Sequence, residues 1–193
     1  MKKILLIIAI VFCIFQMVVL AVAIDIGSPA IDRPGYGDPN WTDINKDNPA
    51  NATGKITSIE VYAVSGYPLY NFEVATFFNV SGNYFSTRDT EYIGYVVSGV
   101  KQTFTVDLDV QEGDYLGCHF TDGYIERNAS GYDGIWAAGG DGIPCTSAPF
   151  NFYSGQTVSL YGTGATVGWT HKWDTKTISK WNTKEFTKWN GLE

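Results

Sequence analysis

Charge is scarce in this sequence. Only 17% of the 193 residues are Asp, Glu, Lys or Arg, against 45% hydrophobic and 15% aromatic. A chain too polar to bury a core would show the reverse balance, so general disorder is excluded. Basic residues are the scarcer sign, 13 against 20 acidic, for a net charge of −7. Without a clustered basic surface, a general binder of phosphate backbones is excluded too, and no nucleic-acid partner is expected. Histidine occurs twice, as His119 and His171. No Gly-x-Ser-x-Gly elbow, His-Glu-x-x-His pair or phosphate loop is present, which removes the enzyme classes built on those motifs. A glycosidase pair would have to come from carboxylates such as Glu60, Glu73, Glu91, Glu112 and Glu126. Most of these are expected to be solvated, and the protein is not expected to be an enzyme.

Cysteine is nearly absent, with three in the chain. The zinc signature of a Cys-x-x-Cys pair is missing, and only His119 lies near as a soft ligand. Long helical periodicity is missing as well: past the first 24 residues no amphipathic helix of useful length can be drawn.

What is present begins with a leader. Lys2 and Lys3 precede an apolar run over residues 4–24 that only Gln16 interrupts. Ala21-Val22-Ala23 supplies the small residues of a signal-peptidase site, so residues 1–23 are expected as a signal peptide cleaved after Ala23. The run is also close to the ~20 residues that cross a bilayer, so an uncleaved helical anchor, holding the protein to the membrane through residues 4–24, is the alternative. Either way the two lysines stay cytoplasmic and the rest is exported, which implies a secreted or cell-surface protein. Cys13 falls in the leader. Cys118 and Cys145 then share an oxidising compartment, and a disulfide between them is expected over two separate buried thiols.

Residues 24–39 are expected as an irregular linker, broken by Gly27, Pro29, Pro34, Gly35, Gly37 and Pro39. A domain over 40–168 follows. Ile59, Val61 and Ala63 alternate with Glu60 and Tyr62, as on a half-buried strand. Phe72, Val74, Phe77 and Phe78 are apolar on both faces, as on an interior strand. Phe104, Val106, Leu108 and Val110 alternate with Thr103, Thr105, Asp107 and Asp109. Glu112-Gly113-Asp114 then predicts a turn into a returning strand whose Leu116, Cys118 and Phe120 face inward. Residues 121–133 look turn-like, and 134–138 and 156–162 add further strands. With 21 Gly, 12 Tyr and 11 Phe, short strands at close spacing predict an all-β fold. The expected architecture is an antiparallel β-sandwich of jelly-roll or lectin-like type.

Residues 169–193 change character. Lys172 to Ser179, Lys180 to Thr187 and the closing Lys188-Trp189-Asn190-Gly191-Leu192-Glu193 repeat with a period of eight. The even period sets Trp173, Trp181 and Trp189 on one side of an extended chain. Exposed Trp on a β-capable repeat is expected to drive self-association, so the partner of this tail would be a second copy. Charge divides along the same boundaries. Residues 24–168 carry six basic and seventeen acidic side chains, whereas the tail carries five Lys and three acids.

Several runs carry a resemblance. The stretch from Asn48 to Val61 resembles the opening of a β-sandwich domain recurring in predicted proteins from environmental and phage-like sequences. Val74-Ala75-Thr76-Phe77-Phe78, Val80-Ser81-Gly82-Asn83 and Ser86-Thr87-Arg88-Asp89 are similar to its second block. Gly113-Asp114-Tyr115-Leu116-Gly117 resembles a strand-turn phrase of jelly-roll and lectin-like sandwiches. Ile178-Ser179-Lys180-Trp181-Asn182 and Lys188-Trp189-Asn190-Gly191 look like short Ile-Ser-Lys-x-Asn-Gly repeats that end such chains. The resemblance covers roughly 40–193. It implies a sandwich fold and an extracellular or virion-surface setting, and it carries over no site residues.

Two constellations remain. Asp43, Asn45 and Asp47 place oxygen ligands at alternate positions, as calcium loops do; an Asx-rich turn entering the first strand is the alternative. Calcium is the one cofactor this suggests. Tyr132, Asp133, Trp136 and Asp141 combine aromatic faces with carboxylates, the ingredients of a glycan site; a hairpin with Trp136 packed in the core is the alternative. The expected function is adhesion or binding of a surface glycan by an exported, non-catalytic module. A structural surface or virion-associated protein assembled through its tail is the alternative, and a glycoside-active enzyme the third class.

Overall fold

The computed structural model describes residues 21–166. Twelve strands run through them: β1 (Ala23–Gly27), β2 (Gly35–Gly37), β3 (Trp41–Asn45), β4 (Gly54–Tyr62), β5 (Leu69–Ser81), β6 (Tyr84–Val96), β7 (Lys101–Val110), β8 (Tyr115–His119), β9 (Ile125–Gly139), β10 (Ala148–Pro149), β11 (Asn151–Val158) and β12 (Leu160–Ala165). A four-stranded sheet has the order β1-β12-β4-β7; a larger one runs β10-β6-β5-β8-β3-β9-β11, with β2 also on β9. Pairing between the strands is antiparallel throughout. Among the described residues no helix is long and apolar enough to cross a membrane. Most of the run expected as a leader, residues 1–20, and the tail residues Trp173, Trp181 and Trp189 lie outside the described residues.

The main core lies between the two sheets. Ile24, Ile56, Ile59, Leu108 and Leu160 come from the smaller sheet and Phe72, Val74, Leu116, Cys118 and Phe120 from the larger side. Alternation explains most of it: Val106, Leu108 and Val110 point inward from β7, and their Thr and Asp neighbours are solvated. Ile56 and Ile59 are three apart, yet both are buried, because a bulge between Ile56 and Ser58 resets the phase of β4. A second, smaller core lies on the outer face of the larger sheet. There Ile44, Ala75, Phe77, Phe85 and Trp136 pack under Ile143 and Phe150, brought by the chain after β9. β5 feeds both cores, which is why it is apolar on both faces, and it lies between β6 and β8.

Three expectations are corrected. The stretch expected as a linker over 24–39 contains β1 and β2. Ile24 and Ile26 are core residues, and β1 pairs with β12 along its whole length. The turn after β7 does not close a hairpin: β7 and β8 belong to different sheets. Buried Asp114, paired with Arg88 and accepting the Gln111 amide, holds that crossing. Cys118 and Cys145 are free thiols. Cys118 faces the main core, while Cys145 packs against the second. The sheet itself stands between them. Burial, with the Asp43 carboxyl adding to it, pushes the Cys118 thiol well above its ordinary range, so it is held as an inert thiol.

Candidate functional site

On the strand Trp41-Thr42-Asp43-Ile44-Asn45, alternation sends Trp41, Asp43 and Asn45 to one face. Asn45 is fully buried and saturated. Its Nδ2 donates to the Val158 and Leu160 carbonyls, and its Oδ1 accepts from the Val158 amide and the Thr157 hydroxyl. Asn45 thereby ties β3 to the point where β11 passes into β12 and the chain changes sheets. Asp43, two residues earlier, has no such partners.

Asp43 forms part of the wall of a cleft of about 240 Å³. Ile135 and Ala137 of β9 form an apolar flank, Ala137 lying directly opposite Asp43 in the ladder. Trp41 and Tyr153 stand at the cleft 37% and 38% exposed. Arg127 comes from the far end of β9, beyond a bend where Gly131 and Gly134 take positive φ. Gln156 comes from β11, which follows the same bend with two register shifts. Asp38 completes the lining from the residue after β2. Gly37 makes this approach feasible: a Cβ there would lie 2.9 Å from Ile125 Cγ2 and 3.5 Å from Asp43 Oδ2. The expected linker thus contributes a wall of the site.

The electrostatics are unusual for a surface groove. Asp43 is 4% exposed. Burial pushes its carboxyl up to about 7; Arg127 pulls it back and Asp38 adds to the rise. No hydrogen bond offsets that burial among the described residues. Gln156 Oε1 is shut off from solvent and has no partner among the described residues. A buried polar oxygen left unpaired costs about 1–3 kcal/mol. Gln156 Oε1 and the nearly buried Asp43 carboxyl line one cleft with two aromatic side chains, a surface matched to a hydroxyl-bearing ligand. The rings offer apolar faces, Arg127 donates, and Gln156 and Asp43 accept, or donate when Asp43 holds its proton.

The residues singled out from sequence are dispersed. Trp136 is 7% exposed and packs against Phe85, Tyr115 and Phe152 at centroid distances of 4.6, 5.0 and 5.7 Å. Its faces are taken, and its Nε1 donates to Asn83 Oδ1. Tyr132 receives a hydrogen bond from Arg33, whose guanidinium also lies over its ring. The backbone amide of Asp133 donates to Asp47 Oδ1. Asp141 lies on the outer face beside Glu73 and His119. Asp43, Asn45 and Asp47 do not form a calcium loop, since Asp43 and Asn45 lie on a strand and Asp47 is engaged by Ser28 and Asp133. Of these residues only Asp43 belongs to the cleft. Asp38, Trp41, Arg127, Tyr153 and Gln156 were not anticipated, because four separate elements deliver them. The one local signal was an acid on the inward face of an otherwise core-like strand. No protein-family model and no curated protein matches the chain.

Proposed function

We propose that this is an exported lectin-like β-sandwich that binds carbohydrate in the Asp43 cleft. The observation that carries the reading is a nearly buried carboxyl, without a side-chain hydrogen bond among the described residues, in a cleft that Trp41 and Tyr153 also line. At about 240 Å³, the cleft falls below the ~300–1,000 Å³ of sites for drug-sized ligands. That size suits one sugar ring, as at the end of a glycan chain. Export rests on Lys2, Lys3 and the apolar run that follows. Ile24 is the first core residue among the described residues, so cleavage after Ala23 would leave the inward side chains of β1 in place.

Screening the full exported chain against immobilised glycans, with calcium and with chelator, tests the reading. Binding should be lost at least ten-fold in Trp41→Ala, and it should not require calcium. No binding to any glycan would sink the idea.

A second reading, glycoside hydrolysis, is favoured by Asp43 and Asp38 together. A carboxyl raised to about 7 beside an exposed one is an arrangement that an acid paired with a base or nucleophile would use. Incubation with a bound glycan separates the two. Sugar release that Asp43→Asn abolishes makes the protein a hydrolase; binding with no release leaves a lectin.

A further inference from the structure

We propose that Glu73, His119 and Asp141 form a binding site for a first-row divalent transition metal, zinc being the ion whose preferences they fit. The site lies on the outer face of the larger sheet, away from the cleft, and is independent of the carbohydrate reading.

Three elements assemble it. Glu73 of β5 and His119 of β8 are directly paired across the ladder, and His119 is in turn paired with Thr42 of β3. Residues so paired share one face. Asp141 arrives from the chain after β9 and is held from both sides by Thr42. The Thr42 hydroxyl donates to the Gly140 carbonyl at 2.9 Å and accepts the Gly142 amide at 2.8 Å. One ligand atom from each of Glu73, His119 and Asp141 lies within 4.8 Å of the others. A tetrahedral ion with bonds of ~2.0–2.2 Å holds its ligand atoms roughly 3.4 Å apart. Half-buried Glu73 and exposed Asp141 close that gap by side-chain rotation alone.

The surroundings orient the donors. His119 is 4% exposed, and its Nδ1 lies 3.2 Å from the Trp41 carbonyl. A carbonyl only accepts, so Nδ1 carries the hydrogen, and in the neutral imidazole the lone pair is then on Nε2. Nε2 has no hydrogen-bond partner among the described residues. A backbone carbonyl behind the imidazole is the usual support of a metal-binding histidine. Asp141 Oδ1 accepts the Ile143 amide at 2.9 Å, leaving Oδ2 to turn toward the site. No ion pair among the described residues involves Glu73 or Asp141, so two adjacent acids stand without a cation.

The donor set selects the ion. One imidazole nitrogen and two carboxylates are too few oxygens for calcium, which takes six to eight. They match zinc, which is held by three protein ligands with water in the fourth place. Bound there, the ion would join β5 and β8 to the segment that covers the second core.

The test uses the full exported chain, stripped with chelator and titrated with zinc against a fluorescent competitor. One equivalent should bind, and Asp141→Asn, at an exposed position that leaves the fold intact, should weaken it at least ten-fold. His119→Gln should abolish it, His171→Ala should leave it unchanged, and excess calcium should not displace the ion. Cobalt in place of zinc should give visible absorption that Asp141→Asn shifts. Equal zinc affinity in wild type and Asp141→Asn would overturn the proposal. So would loss of binding in His171→Ala, or no zinc bound at all.

Discussion

Thr42 and Asp43 are neighbours in sequence and belong to different worlds. On one face of the larger sheet Asp43 sits at a small cleft, nearly buried and without a side-chain hydrogen bond among the described residues. On the other, Thr42 is also fully buried, but its hydroxyl both donates and accepts, clamping the chain around Asp141. Each face also holds a carboxyl raised to about 7. Burial leads in both, but Arg127 opposes the rise at Asp43, whereas at Glu73 the charge and hydrogen bond of Asp141 reinforce it. The difference teaches how a β-strand multiplies function. Side chains alternate, so one five-residue strand presents two faces of opposite character, and the sheet separates one from the other.

Breaking the outer face is the most costly change. Phe85 is fully buried against Tyr115, Trp136 and Phe150, so Phe85→Ala should lose about 3–5 kcal/mol in urea denaturation. It should also loosen the segment carrying Asp141, leaving carbohydrate binding intact in the folded fraction. A stability loss with metal affinity unchanged would show that the second core does not hold that segment.

Next comes the inner carboxyl. Because the folded-state pKa of Asp43 is raised from 3.8 to about 7, the folded protein holds a proton that the unfolded chain releases between those values. The contribution of Asp43 to stability is therefore fully present below about pH 4, falls as pH rises to about 7, and is lost above. Asp43→Asn should flatten that slope and raise stability at pH 8 by on the order of 2–4 kcal/mol. Thermal melts across pH 4–8 check this. The Glu73 contribution has the same sign, so the slope should shrink rather than vanish.

The smallest expected effect is the sharpest test of insulation. Thr42→Val keeps shape but leaves the Gly142 amide and Gly140 carbonyl without their partner, at about 1–2 kcal/mol. Zinc affinity should fall and glycan affinity should not. A fall in both would mean that the two faces are coupled through β3.

Where a pattern repeats along one strand, it was legible without a fold. The alternation over β7 marked Val106, Leu108 and Val110 as buried, and the two-faced run of β5 marked an interior strand. Cys118 was legible as inward-facing, but its distance from Cys145 was not, since that depends on which face residues 140–150 cover. Trp136 had the composition of a ligand platform and became the centre of an aromatic cluster. Gly35 and Gly37 looked like linker punctuation, and Gly37 is there because β2 must pass close to β9. The cleft residues come from β3, β9, β11 and the residue after β2, with no spacing in common.

The sequence by itself determined the all-β class, the inward sets of individual strands, the apolar run that follows Lys2 and Lys3, and the octad of Trp and Lys. These are local properties, set by alternation, composition and period. Only the tertiary structure decided that the chain crosses sheets after β7 and again at Ser159, that Asp43 lacks partners, and that Glu73, His119 and Asp141 meet. Partners and their absence depend on strand pairing between residues far apart in the chain. Register and bulges set that pairing, and nothing near Asp43 or His119 in sequence encodes it.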